Sequence, residues 1–256
     1  MNKIQEFNKL HSSKELLFLG NAHDLLSALT LEKAGFKAIG TTSWGIANSL
    51  GFADGELIDF DRHLGIIKTI TANVKIPVSA DIEAGYSEDI DGIIHNVLRT
   101  ADVGVAGINI EDSMKKSNGL REITQHCKLL KELRVALDQH GFEDFYINAR
   151  TDTYLQKEYP LMETLERAKA YVDSGASGVF VPGLKKDDEI KEIAMNVNAP
   201  LNVLSLPELT NCNKLEALGV KRFSFGNALS DKVIAYLEKN IDDLVKLMDT
   251  IHLYRN

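Results

Sequence analysis

A closed (β/α)8 barrel, eight parallel strands alternating with eight helices, is the fold this sequence predicts, and three observations predict it. Eight short apolar segments are each followed by a stretch of helix length, the βα alternation that builds a parallel sheet. A glycine recurs between a helical stretch and the next strand, where a helix C-cap needs left-handed backbone. The chain is also, at 256 residues, the length of one α/β barrel. A doubly wound open sheet is the alternative, and no GxGxxG motif follows the first strand to support it.

Strands are expected near residues 16–19, 37–42, 76–81, 105–111, 145–150, 178–182, 201–205 and 222–226. Leu31-Glu-Lys-Ala-Gly35 ends a helix before the second strand, and Ala101-Asp-Val-Gly104 does so before the fourth. Gly141 precedes the fifth strand, Tyr171-Val-Asp-Ser-Gly175 the sixth, and Leu215-Glu-Ala-Leu-Gly219 the eighth. Each connection is short, as βα units require. The last helix is longer than the others, with Ile234, Leu237, Ile241, Leu244, Val245, Met248 and Ile251 in a stripe at helical spacing. That stripe is expected to dock on a neighbouring subunit, the alternative being that it caps its own barrel. No linker or composition break divides the chain, so residues 1–256 are expected to form one domain with 230–256 as a helical extension.

Side chains alternate across a strand. Val78, Ala80, Ala106, Ile108, Ile110, Phe145, Ile147 and Ala149 therefore share one face, and Ser79, Asp81, Asn109, Glu111, Asn148 and Arg150 the other. An unpaired polar group costs about 1 to 3 kcal/mol to bury and a charge costs more, so this second face calls for a bound partner. Barrel enzymes place their chemistry at the C-terminal strand ends. There the sequence sets Thr42-Ser43-Trp44-Gly45 after strand 2, Asp81 and Glu83 after strand 3, Glu111 and Asp112 after strand 4, and Arg150 and Asp152 after strand 5. Carboxylates this close repel unless a cation lies among them. Oxygen donors without His or Cys favour Mg2+ or Mn2+ over zinc.

Several function classes are set aside by composition. The net charge is −8 with no long basic run, which argues against a nucleic-acid surface. No window is apolar enough to span a membrane and no signal segment opens the chain, so a cytoplasmic location is expected. Cys127 and Cys212 lack metal or disulfide spacing and read as packed thiols. The seven histidines are unclustered and read as surface groups.

Five segments together resemble one known family. Ala34-Gly-Phe-Lys-Ala-Ile-Gly-Thr-Thr-Ser43, Ser49-Leu-Gly-Phe-Ala-Asp-Gly55, Pro77-Val-Ser-Ala-Asp-Ile-Glu-Ala-Gly85, Gly107-Ile-Asn-Ile-Glu-Asp-Ser113 and Asn148-Ala-Arg-Thr-Asp152 are similar, in this order, to the isocitrate lyase / phosphoenolpyruvate mutase superfamily. The resemblance runs from about residue 14 to 230 and is nearest to the phosphonomutase-like branch. It implies a (β/α)8 barrel whose last helix is exchanged between subunits of a homo-oligomer, usually a tetramer. It also implies cleavage or formation of C–C or C–P bonds next to a carboxylate, through an enolate-type species and with Mg2+. By the resemblance, Asp81 binds the metal directly while Glu83 and Glu111 hold its waters. Asp54 lies near the reacting group, Arg150 pairs with substrate carboxylate or phosphonate, and Thr42, Ser43, Trp44 and Gly45 hold the substrate carboxylate.

Two departures from the family pattern bear on the reaction. Where lyases carry Lys-x-Cys-Gly-His after strand 4, this chain reads Ser113-Met-Lys-Lys-Ser-Asn-Gly-Leu120, so no cysteine is available there. Lys116-Ser117-Asn118 echoes the Lys-Thr-Asn of mutases and phosphonopyruvate hydrolases, which makes Lys116 a candidate catalytic group. After strand 6, Val181-Pro182-Gly183 stands where those enzymes have a histidine. Simpler readings accompany the functional ones: Asp112 and Asp152 as structural acids, Asp54 as turn chemistry, Trp44 as packing, Lys115 and Lys116 as solvated charges. The expected activity is Mg2+-dependent C–C cleavage of a small 2-oxo or 2-hydroxy acid. The alternatives are C–P chemistry and a non-catalytic metabolite-binding barrel.

Overall fold

The computed structural model describes residues 2–115, 119–158 and 160–254. Eight strands close into a parallel barrel in sequence order: β1 (Leu17–Ala22), β2 (Ile39–Thr41), β3 (Val78–Asp81), β4 (Gly107–Glu111), β5 (Tyr146–Arg150), β6 (Gly178–Val181), β7 (Leu201–Leu204) and β8 (Arg222–Ser224). All eight expected strands are present, and β8 pairs back onto β1. Helix α1 (Lys3–Ser12) precedes the barrel; α2 (Leu25–Lys33) follows β1, and α3 (Ser43–Ser49) and α4 (Phe60–Asn73) follow β2. Next come α5 (Ile90–Asp102), α6 (Ile123–Gln139), α7 (Thr153–Gln156), α8 (Leu161–Val172), α9 (Asp187–Asn196), α10 (Cys212–Ala217) and α11 (Ala228–Leu247). Among the described residues, no helix is long and apolar enough to cross a membrane.

The five helix-ending glycines all take the left-handed conformation, with φ between 82° and 102°. At Gly35 this lets the Phe36 N–H donate to the Leu31 carbonyl at 3.2 Å, satisfying an orphan carbonyl at the end of α2.

The apolar face of the strands points outward and packs under the helices. Val78, Ala80, Ile108, Ile110, Ile147 and Ala149 join Leu129, Leu130, Leu133 and Tyr171 in the largest core cluster. A second cluster lies between β6, β7 and β8 and the helices α8, α9 and α10. Helix α1 covers the N-terminal end of the barrel, with Phe7 edge-on to Tyr146 at 5.4 Å and His11 stacked on it at 4.0 Å.

Below its mouth the polar inner face satisfies much of itself without a ligand. Asn148 Nδ2 donates to Asn109 Oδ1 at 2.8 Å and to Asn202 Oδ1 at 3.1 Å, and Asn202 Nδ2 donates to Ser224 Oγ at 3.3 Å. Arg222, 1% exposed, donates from Nη2 to Asn109 Oδ1 at 3.2 Å. Burial pushes its guanidinium down to about 10.

Helix α11 differs from the rest. Only Ser230 of it is buried, while Leu237, Ile241 and Val245 of the expected stripe are 52%, 56% and 68% exposed. Of the stripe, Ile234 and Leu244 are half-buried and the rest is left uncovered by its own barrel.

Candidate active site

The register of the sheet gathers the site. Asp81 pairs with Asn109 across β3 and β4, and Glu111 pairs with Arg150 across β4 and β5. Thr41, at the end of β2, receives the Asp81 N–H on Oγ1 at 2.9 Å. Ser43, in the first turn of α3, donates to Asp81 Oδ2 from its Oγ at 2.9 Å and its N–H at 3.3 Å. From α4, His63 Nε2 lies 2.9 Å from the Asp81 carbonyl oxygen. Asp81 is thereby fixed through backbone and one carboxylate oxygen. The other, Oδ1, is buried and has no hydrogen-bond partner.

Glu83 sits behind this group at φ 50°, a left-handed conformation uncommon outside glycine. It is 2% exposed, and its Oε1 accepts from Tyr86 Oη at 3.0 Å and the Glu56 N–H at 3.2 Å. Its Oε2 lies 2.9 Å from Lys115 Nζ, which also lies 2.6 Å from Glu111 Oε1. Glu111 Oε2 meets Arg150 Nη1 at 2.9 Å. Glu83 Oε2 and both Glu111 oxygens face these cations without a well-directed hydrogen bond, so charge rather than alignment holds them. Arg150 also forks onto Asp152, Nε to Oδ1 at 2.6 Å and Nη2 to Oδ2 at 3.1 Å. Burial outweighs the pull of Arg150 and Lys115 and, with the Asp152 charge, pushes the Glu111 carboxyl up to about 8. Burial works against the Lys115 charge too, but Glu111 and Glu83 outweigh it and hold the ammonium above its ordinary value.

Lys115 is therefore not the solvated charge its loop position implies. It is the cation that acids packed this closely require. The histidines depart from expectation in the same way, since His11, His63 and His126 are all buried. For His63 the signal lay in the helix period: Phe60, Leu64, Ile67 and Ile70 of the same stripe are buried with it.

The Glu-Asp pair divides in two. Glu111 turns into the barrel mouth, while Asp112, fully buried, turns outward to Tyr171 Oη at 2.7 Å and Arg167 Nη1 at 3.3 Å. Its other oxygen accepts the Asp152 N–H at 3.0 Å. Asp112 therefore anchors the strand ends.

A pocket of about 210 Å3 opens at the barrel mouth, lined by Asp54, Asp81, Asn109 and Arg150 with Thr42, Ser43 and Trp44, and walled by Leu155, Phe180 and Leu204. A larger cavity of about 570 Å3 lies beyond Met114 and Lys115. The smaller one holds the open Asp81 oxygen and the guanidinium, and it is the candidate active site. Asp54 lies on an exposed turn, but protein around its carboxyl and the Asp81 charge raise its affinity for a proton. Thr42 Oγ1 caps α3 by accepting the Gly45 N–H at 3.4 Å. Trp44 Nε1 donates to Asp231 Oδ1 at 2.9 Å, tying the pocket rim to α11. Gly45 does not line the pocket; a Cβ there would lie 2.7 Å from His23 Cβ. Lys116 lies outside the described residues. Cys127, whose Sγ lies 3.5 Å from the Ala170 carbonyl oxygen, and Cys212 are half-buried away from the pocket.

Among the described residues no three His, Cys, Asp or Glu side chains converge as a ligand set. The donor chemistry offered is one open carboxylate oxygen, on Asp81, with further acids behind it. That fits a hard cation that keeps most of its waters, as Mg2+ does, and does not fit zinc. Charge points the same way: among the described residues Asp54, Asp81, Glu83, Glu111 and Asp152 stand against Lys115, Arg150 and, deeper in the barrel, Arg222.

The phosphoenolpyruvate phosphomutase family model matches residues 7–245 of this chain. A Mycobacterium tuberculosis protein is 40% identical over 86% of this chain and 81% of its own length. The 2,3-dimethylmalate lyase of Eubacterium barkeri is 29% identical over 98% of this chain and 91% of its own. A crystal structure from Burkholderia cenocepacia is similar at a TM-score of 0.89 and 32% identity, over 94% of this chain and 99% of that one.

Proposed function

The chain belongs to the phosphoenolpyruvate phosphomutase family, and from that membership we propose that it is a lyase using Mg2+ or Mn2+ to cleave a C–C bond in a small 2-oxo or 2-hydroxy carboxylic acid. One observation carries the reading: Asp81, one of whose carboxylate oxygens is buried without a partner, and Arg150 line the same small pocket at the C-terminal ends of the strands.

Asp81 Oδ1 is the atom that would hold the metal, with Glu83 and Glu111 placed to hold its waters. The chemistry a divalent ion supplies there is neutralisation of charge developing on substrate oxygen. The protein's own groups do the rest. Ser43 and Thr41 keep Asp81 in one orientation. Of the five N–H donors of Arg150, Asp152 takes two, from Nε and Nη2, while Glu111 faces Nη1 as an ion pair, so N–H groups remain to meet a substrate carboxylate. Phe180, which is buried, and Leu204 give the pocket an apolar wall, which strengthens the charge interactions beside it. Asp54, with its raised proton affinity, is the group suited to hold or deliver the proton that C–C cleavage demands.

C–P chemistry is the second reading, favoured by the family's own description. A phosphonate dianion would bring more negative charge into a pocket already rich in acids, and for that reason the carboxylic acid is preferred. Incubation of the purified protein with Mg2+ and a panel of 2-oxo, 2-hydroxy and phosphono acids tests both. Release of pyruvate or glyoxylate is expected. Phosphate release would move the assignment to C–P chemistry, and tight binding without any product would overturn catalysis in favour of a metabolite-binding barrel.

The homo-oligomer belongs to the same proposal, with α11 exchanged onto a neighbour. Its stripe leaves large apolar surface exposed, more than a monomer in water ordinarily tolerates. Sedimentation of the full-length chain is expected to show a dimer or tetramer, and truncation after Leu229 is expected to dissociate or unfold it. A monodisperse full-length monomer would overturn the exchange.

A further inference from the structure

Lys115 occupies the place where the acid cluster most needs positive charge. Its Nζ lies 2.9 Å from Glu83 and 2.6 Å from Glu111, and both carboxylates have side chains only 1% exposed. Such acids bind a cation strongly because water cannot screen them. A divalent ion on Asp81 would draw on the same two acids for its waters. One pair of carboxylates cannot serve both cations at full strength, because each cation repels the other at this range.

We infer that Lys115 is an internal counter-ion that competes with the divalent cation for Glu83 and Glu111, so that cation loading displaces its ammonium from the pair. The inference rests on the reading of Asp81 as the metal-holding residue. In the metal-free protein Lys115 lies between the two buried acids and offsets the repulsion between them. In the loaded protein it gives them up, and divalent affinity is weaker than the acids alone would provide.

The surroundings give the ammonium somewhere to go. Ser113 bridges to Leu120, and the Met114 N–H donates to the Gly119 carbonyl at 2.9 Å, closing the base of the loop. Lys115 lies just past that base, so its side chain can turn without disturbing β4. The neighbouring cavity of about 570 Å3 is lined by Lys115 itself and by Glu56, Tyr86, Arg121 and Gln125, a polar space large enough to take the ammonium.

Calorimetric titration of MnCl2 into the full-length wild type, Lys115→Met, Lys115→Arg and Asp81→Asn tests this. Lys115→Met keeps the apolar stem and loses the charge, and it is expected to bind Mn2+ roughly tenfold more tightly than wild type, the lower end of typical effects from outer-shell partners. Lys115→Arg is expected to stay close to wild type. Equal or weaker binding by Lys115→Met overturns the inference. If wild type binds Mn2+ and Asp81→Asn binds it as well, the reading of Asp81 fails instead; no binding by any variant overturns both. A measurement on wild type alone guards against poor folding of Lys115→Met. Acetylation of Lys115 by acetic anhydride, followed by peptide mass spectrometry, is expected to speed up several-fold on adding Mn2+, because a side chain released from the two carboxylates is no longer held against them, only 20% exposed, and becomes accessible to the reagent. An unchanged rate overturns the inference.

Discussion

Asp81→Asn is expected to lose divalent-cation binding and, with it, about 10²–10³-fold or more in kcat, the scale seen when a group that stabilises developing charge is removed. The physical reason lies in the two oxygens. Oδ2 is held by Ser43, and an asparagine carbonyl can accept those same hydrogen bonds. Its amide NH2 then points where Oδ1 was, presenting a donor at the position where a cation needs an acceptor. The shape survives and the polarity reverses. Glu111→Gln and Glu83→Gln should each cost about 10 to 100-fold in metal affinity, as outer-shell partners usually do. Arg150→Lys keeps a charge but loses the fork onto Asp152, so substrate binding should weaken while metal affinity holds. Titration of Mn2+ together with steady-state kinetics on these variants checks the order. Wild-type metal affinity in Asp81→Asn would refute the site.

Arg167→Met is expected to destabilise the fold by about 3–5 kcal/mol, the usual consequence of breaking a buried ion pair from one side. Arg167 Nη1 reaches Asp112 Oδ2 at 3.3 Å, the Arg121 carbonyl at 2.8 Å and Tyr171 Oη at 2.9 Å. Removing it strands a fully buried Asp112, whose proton affinity burial already raises. Loss of the guanidinium raises that affinity further. A folded-state pKa above the unfolded one means the folded state binds the extra proton, so the stability it contributes is present at low pH and lost as pH rises. The deficit of Arg167→Met should accordingly be larger at pH 7 than at pH 5. Urea unfolding at the two pH values measures it, and a deficit that is the same or smaller at pH 7 would show that Asp112 is not the stranded group.

The barrel was legible because its signals are local. Strand alternation placed Asp81, Glu111 and Arg150 on one face, and the five glycines marked where helices end; both depend on neighbours within a few residues. The strand-end acids were legible for the same reason. Lys115 was not, because a lysine in a loop reads as solvated until the chain is folded and two acids are seen beside it. His63 belongs with it: the helix period marked its face as buried, but nothing in the sequence aimed its ring at the Asp81 carbonyl.

By itself the sequence determined the eight-stranded alternation and the residues that stand at the mouth of the barrel, since backbone periodicity and capping chemistry are settled over a single turn or strand. Only the tertiary structure decided which charge neutralises which. Asp112 and Arg167 lie 55 residues apart, Ser43 and Asp81 lie 38 apart, and an ion pair or hydrogen bond falls off within a few ångströms that sequence spacing does not encode. It also decided that most of the stripe on α11 is left uncovered by its own barrel. Helical period states that a face is apolar, and the packing of the other elements alone determines what is left to cover it.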